Sequence, residues 1–188
     1  MIAGLLLAAG RGARLGTPKA LVGYAGERLV DRGVRLLAEG GCHPVVVVLG
    51  AADAQVRGAV TVRNPDWASG MGSSLRAGLA ALPAEAAAVV VALVDQPLIR
   101  PGAVRALIAA RAGLAVATYG GRPRNPVLIA REHFAGVAER AVGDVGARAF
   151  LRAHPELVTE VPCDAHGDPA DIDTPQDLEA LRAGLQAE

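Results

Sequence analysis

Aromatic side chains are scarce in this 188-residue chain, where Trp, Tyr and Phe together make up 3%. Charge of one sign is also missing, because 19 Lys and Arg are balanced by 19 Asp and Glu. Without a basic face or stacking platforms, the chain lacks what a nucleic-acid binder needs. Cysteine is equally sparse. Cys42 and Cys163 lie far apart, match no metal or redox spacing, and read as two reduced thiols of a cytoplasmic protein. The longest apolar run, Ala86 to Val94, falls well short of the roughly 20 residues that span a bilayer, so no membrane association is expected. Near the N-terminus the basic residues follow the apolar stretch, which is the wrong order for a secretory signal. What the chain has in abundance is small aliphatic side chains. Hydrophobic residues reach 52%, too many for a disordered chain, and the length suits one domain over residues 1–188.

Short Val/Leu/Ala runs alternate with longer amphipathic stretches. Buried strands are expected at Ile2 to Ala8, Pro44 to Leu49, Ala59 to Val62 and Ala88 to Val94. Further strands are expected at Leu114 to Tyr119, Pro126 to Ile129 and Leu157 to Val161, the first two separated by a turn rich in Gly and Arg. Helices are expected over Glu27 to Glu39, Met71 to Leu82, Pro101 to Ala112, Glu132 to Ala141, Val145 to Arg152 and Pro175 to Leu185. This order implies a single α/β domain with a mostly parallel twisted sheet covered by helices on both faces. In such sheets the ligand lies beyond the carboxyl ends of the strands.

The loop after the first strand, Gly10 to Gly16, is glycine-rich, and Arg14 and Lys19 add charge to it. Small residues there let backbone N–H groups approach phosphates. Gly10, Gly12 and Gly16 also approximate a dinucleotide fingerprint, but the acid that should end the second strand is misplaced. Asp31 falls inside the expected first helix and Asp53 comes too late. Thr17-Pro18-Lys19 also interrupts where that motif would open a helix. The dinucleotide reading is weakened, though it stays open.

Residues Leu7, Ala8, Ala9, Gly10, Arg14, Gly16 and Lys19 spell L-A-A-G-x-x-x-R-x-G-x-x-K. This resembles the signature loop of the MobA-like nucleotidyltransferases of molybdenum-cofactor type, whose fold is Rossmann-like. The resemblance implies that the loop wraps a nucleoside triphosphate, with Arg14 and Lys19 as catalytic groups that neutralise its phosphates. Asn64 to Leu75, with Trp67, Gly72, Ser73 and Ser74, is similar to the family segment that lies near the nucleotide base. A bland reading of the same stretch is an N-cap serine and a buried tryptophan. Asp95 in D-Q-P-L and Asp173 in D-I-D-T-P-Q-D match the family's two metal ligands, which implies Mg²⁺ as cofactor. Independently, Thr174 as N-cap, Pro175 at the first helical position and Asp177 two residues on make a good helix start. Gln96, together with Asn125-Pro126 and the Asp144, Gly146 and Arg148 of G-D-V-G-A-R, resembles the acceptor side; Asn125 departs from the family's usual histidine.

The resemblance implies transfer of a nucleoside monophosphate to a phosphorylated acceptor with release of pyrophosphate. An acceptor phosphate is already anionic near pH 7, its second pKa being about 6. No protein base is then required, and the chain offers no Ser-His-Asp or Cys-His grouping. His43, His133, His154 and His166 are scattered and read as surface or packing residues. The alanine of L-A-A-G and the D-Q-P-L motif resemble the cytidylyl branch, which favours CTP as donor and a molybdopterin-type phosphate as acceptor. Two alternatives stay open. One is an NAD(P)H-dependent oxidoreductase on the same scaffold, of the nicotine-blue-reducing type. The other is a non-catalytic nucleotide-binding accessory protein that partners a molybdoenzyme.

Overall fold

In the computed structural model, which describes residues 1–185, the chain runs from β1 (Ile2–Leu7) through a small hairpin of β2 (Gly23–Tyr24) and β3 (Glu27–Arg28) into α1 (Leu29–Glu39). There follow β4 (Val45–Leu49), β5 (Val60–Arg63), α2 (Met71–Ala80), β6 (Ala88–Leu93) and α3 (Pro101–Ala109). The second half contains β7 (Leu114–Tyr119), β8 (Arg122–Ala130), α4 (Phe134–Arg140), α5 (Arg148–Ala153), β9 (Val158–Pro162) and α6 (Pro175–Leu185). Seven strands form one sheet in the order β5-β4-β1-β6-β8-β7-β9. Only β8 runs antiparallel to its neighbours, β6 and β7.

Alternation along the strands divides the core. Leu6 points into one layer with Leu37 of α1 and Leu107 of α3, whereas Leu5 and Leu7 point into the other with Leu75 of α2 and Val137 of α4. Each of these side chains is at least nine-tenths buried. Such burial stabilises the fold by about 1.5–3 kcal/mol per aliphatic side chain, and it explains the unbroken apolar runs of β1, β4 and β6. β1 is central and pairs in parallel with β4 on one side and β6 on the other. The chain leaves β1 in one direction to β4 and β5, then crosses back to β6, so the strand order reverses between β1 and β6. A ligand-sized crevice opens at such a switch, outside the carboxyl ends of the two strands.

Several expectations from the sequence need correction. The third strand is not buried: β5 lies at the sheet edge and Val60 is exposed. The first helix starts at Leu29, because Glu27 and Arg28 pair with Gly23 and Tyr24 across the Ala25–Gly26 turn. The expected Gly/Arg-rich turn shrinks to Gly120 and Gly121, and Arg122 to Asn125 belong to β8. The helix expected from Val145 begins at Arg148, which leaves residues 141–147 as an irregular segment. The C-terminal cap, by contrast, forms as expected. Asp177 Oδ2 accepts from the N–H groups of Asp173 (3.0 Å) and Thr174 (2.8 Å), and Thr174 Oγ1 accepts from the Asp177 N–H.

Candidate active site

The loop after β1 folds back on itself. The Gly12 carbonyl accepts from the N–H groups of Leu15 and Gly16, and the Lys19 N–H reaches back to the Gly10 carbonyl. Gly12 has a positive φ of 59°, and a β-carbon there would lie 2.1 Å from the Thr17 carbonyl oxygen, so only glycine fits. Ala8 and Ala9 are buried beneath the loop, while Gly10 and Arg14 face solvent. The loop ends in a single 3₁₀ turn, Lys19–Leu21, not an α-helix, which removes the helix N-terminus that a dinucleotide site uses.

That turn aims Lys19 across the crevice. Its Nζ donates to Asp95 Oδ2 at 2.6 Å and to Asp173 Oδ1 at 2.5 Å. Burial pulls the Lys19 pKa down, but the Asp95 charge and the hydrogen bonds that Lys19 donates to Asp173 and Asp95 outweigh it, so the ammonium is held above its ordinary range. Asp95 lies two residues beyond the end of β6, and its carbonyl accepts from the Ile172 N–H at 2.8 Å, which seats Asp173 opposite. Arg14 makes no ion pair with either carboxylate among the described residues. It contributes instead at Asp177, where the Thr174 hydrogen bond, the two backbone N–H groups and lastly the Arg14 charge hold the carboxyl below its usual range.

Whether this pair suits a hard divalent cation can be judged from its own atoms. Asp95 Oδ1 is buried and has no hydrogen-bond partner, and two carboxylates from distant parts of the chain already converge on one cationic atom. Among the described residues no group of three or more His, Cys, Asp or Glu side chains is arranged to hold a metal ion alone. A Mg²⁺-like ion, which takes one or two carboxylates plus substrate phosphates, fits this donor set.

Asn64, Ser73 and Ser74 also come together, but they bond to each other. Asn64 Nδ2 donates to Ser73 Oγ (2.8 Å) and Ser74 Oγ (3.0 Å), and Ser73 Oγ in turn donates to main-chain carbonyls of Asp66 and Gly70. Neither serine is the N-cap; both lie inside α2, whose N-cap is Gly70, and Trp67 is half-buried. Gly72 donates its N–H to the Gly143 carbonyl at 2.8 Å, and a β-carbon there would lie 2.4 Å from the Ala141 carbonyl oxygen. The start of α2 is therefore spent on fixing residues 141–143 rather than left open.

That segment continues into Asp144–Arg148, which line a cavity of about 640 Å³ beside the crevice. Its floor is hydrocarbon, from Leu7, Leu75, Val91, Leu93, Val116 and Val127, and Asn125, Asp144, Gly146 and Arg148 stand in its wall. Gln96 and Pro126 are not part of that wall, contrary to the sequence reading. Gln96 is buried against residues 169–171, and Pro126 is buried within β8. The sequence reading also misses Arg124, Arg152 and Glu160, which line the cavity from β8, α5 and β9. No local motif marks them, since only the folded sheet brings these elements together. His133 and His154 pack on either side of Phe150, with ring centroids 5.9 and 4.5 Å away, and take no part in the site.

Comparison with known proteins agrees with this fold. Residues 4–158 match the MobA-like NTP transferase domain. The chain is 40% identical to the nicotine blue oxidoreductase of Paenarthrobacter nicotinovorans, over 96% of each protein. Among solved structures, the Rv0371c homologue from Mycobacterium sp. strain JC1 superposes with a TM-score of 0.85 at 30% identity, covering 100% of this chain and 98% of the other. Rv0371c of Mycobacterium tuberculosis H37Rv, solved as a complex with manganese, superposes with a TM-score of 0.81 at 27% identity, covering 97% and 98%.

Proposed function

The chain belongs to the MobA-like NTP transferase family of nucleotidyltransferases, and from that premise we propose that it moves a nucleoside monophosphate from a triphosphate to a phosphorylated small-molecule acceptor. The favoured donor is CTP, from the L-A-A-G and D-Q-P-L motifs, and the favoured acceptor is a molybdopterin-type phosphate. One observation carries the reading: Lys19, Asp95 and Asp173 meet at the switch between β1 and β6, where a triphosphate would lie.

In the reaction an acceptor phosphate oxygen bonds to the α-phosphorus, and the bond from that phosphorus to the bridging oxygen breaks, releasing pyrophosphate. The acceptor oxygen is anionic at neutral pH, so no side chain has to take a proton. What remains for the protein is positioning and charge neutralisation. The loop from Leu7 to Gly16 wraps the phosphates, while Arg14 and Lys19 oppose the charge that grows on pyrophosphate. Asn64, Ser73 and Ser74 brace the base side. Asn125, Asp144, Gly146 and Arg148 receive the acceptor over the hydrocarbon floor. Asp95 and Asp173 would hold Mg²⁺, which supplies neutralising charge to triphosphate and acceptor oxygens when bound. The manganese complex of a 27%-identical structure supports a divalent cation here. Buried, unpaired Cys42 and Cys163 support a cytoplasmic location.

A second reading, NAD(P)H-dependent reduction, is favoured by the 40%-identical relative named an oxidoreductase. Calorimetric titration of CTP, GTP, ATP and NADPH, each with and without Mg²⁺, separates the two. Tight binding of one triphosphate only with Mg²⁺, lost in Asp95→Ala, supports transfer and names the base. Metal-independent binding of NADPH alone sinks it. Nucleotide binding that protects against heat without any pyrophosphate release points to the accessory role with a molybdoenzyme.

A further inference from the structure

We infer that Gln96 is a positioning residue, whose buried amide ties residues 168–173 to the carboxyl end of β6 and so keeps Asp173 beside Asp95. The side chain is 5% exposed, and Nε2 donates to the Pro169 carbonyl at 3.0 Å and to Asp171 Oδ1 at 2.8 Å. Both partners are acceptors only, which fixes the orientation of the amide. Residues 167–174 contain neither helix nor strand, and Asp173 meets regular structure at the Asp177 cap of α6.

Beside the fully buried Ile172 side chain, three polar links among the described residues join this segment to the rest of the site: the Ile172 N–H to the Asp95 carbonyl, the Lys19 ion pair, and the Gln96 amide. The Lys19 link is the one that must open in use, because its ammonium lies on the carboxylate oxygens that a cation would take. Gln96 is then the polar side-chain link that survives. A neutral amide suits the task. Asp95, Asp171 and Asp173 already crowd the site; a carboxylate at position 96 would add repulsion, and a lysine or arginine would compete with the cation as counter-charge. Asp171 contributes as the acceptor that orients Gln96, not as a third ligand.

The consequence for a metal ion rests on the transfer reading, whereas the tether does not, and the experiment separates them. Amide hydrogen exchange is measured in the wild type, Gln96→Met, Asp171→Asn and Asp171→Ala, alongside paramagnetic titration with Mn²⁺. Gln96→Met keeps the length and loses both donors. It is expected to speed exchange of the Ile172 amide by about tenfold or more while the Leu5 and Val90 amides keep their rates. Mn²⁺ affinity is expected to fall about tenfold, the usual cost of losing an outer partner of a ligand. Asp171→Asn, whose Oδ1 still accepts from Gln96, should leave Ile172 exchange near the wild-type rate, and Asp171→Ala should raise it. Unchanged Ile172 exchange in Gln96→Met overturns the proposal, as does an equal rise at the core amides. If Gln96→Met does not fold, equal exchange in Asp171→Ala and Asp171→Asn overturns it instead. If the wild type binds no Mn²⁺ with or without CTP, the transfer reading falls while the exchange rates still decide the tether.

Discussion

The Lys19 ammonium lies 2.6 Å from the Asp95 carboxylate although 76 residues separate them along the chain. The contact joins the end of the loop after β1 to the end of β6, across the crevice where the strand order reverses. With Asp173 on its other side, Lys19 neutralises two carboxylates that would otherwise repel each other. Under the proposed transfer, the same charge would become available to phosphate once a cation took over the carboxylates.

Lys19→Ala should therefore lower the rate of pyrophosphate release by at least about 3 kcal/mol in transition-state energy, roughly 100-fold or more. The fold should survive, since the side chain is at the rim of the core. The same variant should bind Mn²⁺ more tightly than the wild type in the absence of nucleotide, because no ammonium competes. Turnover near the wild-type rate would remove the lysine from the mechanism.

Asp95→Asn keeps the shape of the side chain and one acceptor for Lys19. Metal-dependent nucleotide binding should weaken by about 100-fold, while melting temperature changes little. Calorimetry with and without Mg²⁺ reads the effect directly, and an unchanged metal response would assign the ion elsewhere.

Gly72→Ala should destabilise the protein by about 1–3 kcal/mol, the usual cost of forcing an atom into a packed contact. The added carbon meets the Ala141 carbonyl oxygen at 2.4 Å. Relief has to come from residues 141–143, which continue into the Asp144–Arg148 wall of the cavity. Acceptor affinity should then fall more than nucleotide affinity, a split visible in separate KM values.

Asp177 supplies the pH dependence of the C-terminal cap. Its carboxyl is held below the ordinary value of 3.8, chiefly by the Thr174 hydrogen bond and then by two backbone N–H groups. A lowered carboxyl contributes stability that is present above pH 3.8 and lost as pH falls through the folded value. Asp177→Asn should melt below the wild type at pH 7, and the gap should close on acidification below pH 3.8. A gap independent of pH would show that the charge contributes nothing.

Burial pushes the Cys42 thiol up to about 12 and raises that of Cys163 as well. At pH 8 both should stay protonated and shielded. A disulfide-exchange reagent should label neither until denaturant is added, at a rate that follows unfolding. Fast labelling of the native protein would contradict the packing around β9 and α1.

Much of this was legible from residue order alone. Unbroken aliphatic runs marked the parallel strands, because strands covered on both faces have no polar side. The Thr174-Pro175-Gln176-Asp177 cap could be read from four residues, since its hydrogen bonds are local. What escaped depends on partners far along the chain. Gly120, Gly121 and the arginines around Pro123 make residues 120–125 read as turn, and proline donates no ladder hydrogen bond. Strand β8 accommodates its prolines with a register shift opposite Val116 and Ala117. Gln96 sits next to Asp95 in the sequence and was read with the acceptor side, yet its amide is claimed by residues 169 and 171. Edge exposure of β5 was likewise invisible, because Val-Thr-Val suits a buried or an outer strand equally well.

The reversed strand β8 divides the sheet into two parallel portions with different duties. The polar side chains around the cavity, Arg124, Asn125, Asp144, Arg148, Arg152 and Glu160, all follow β7 in the chain. Lys19 and Asp95 precede it, and only the short stretch holding Asp173 returns from beyond β9. Under the proposed transfer, the polar groups that would choose the acceptor thus form almost a cassette, residues 122–160, downstream of the crevice. On that reading, substitution within the cassette would change the partner molecule while Lys19, Asp95 and Asp173 stay as they are. For an engineer the same partition marks where to graft.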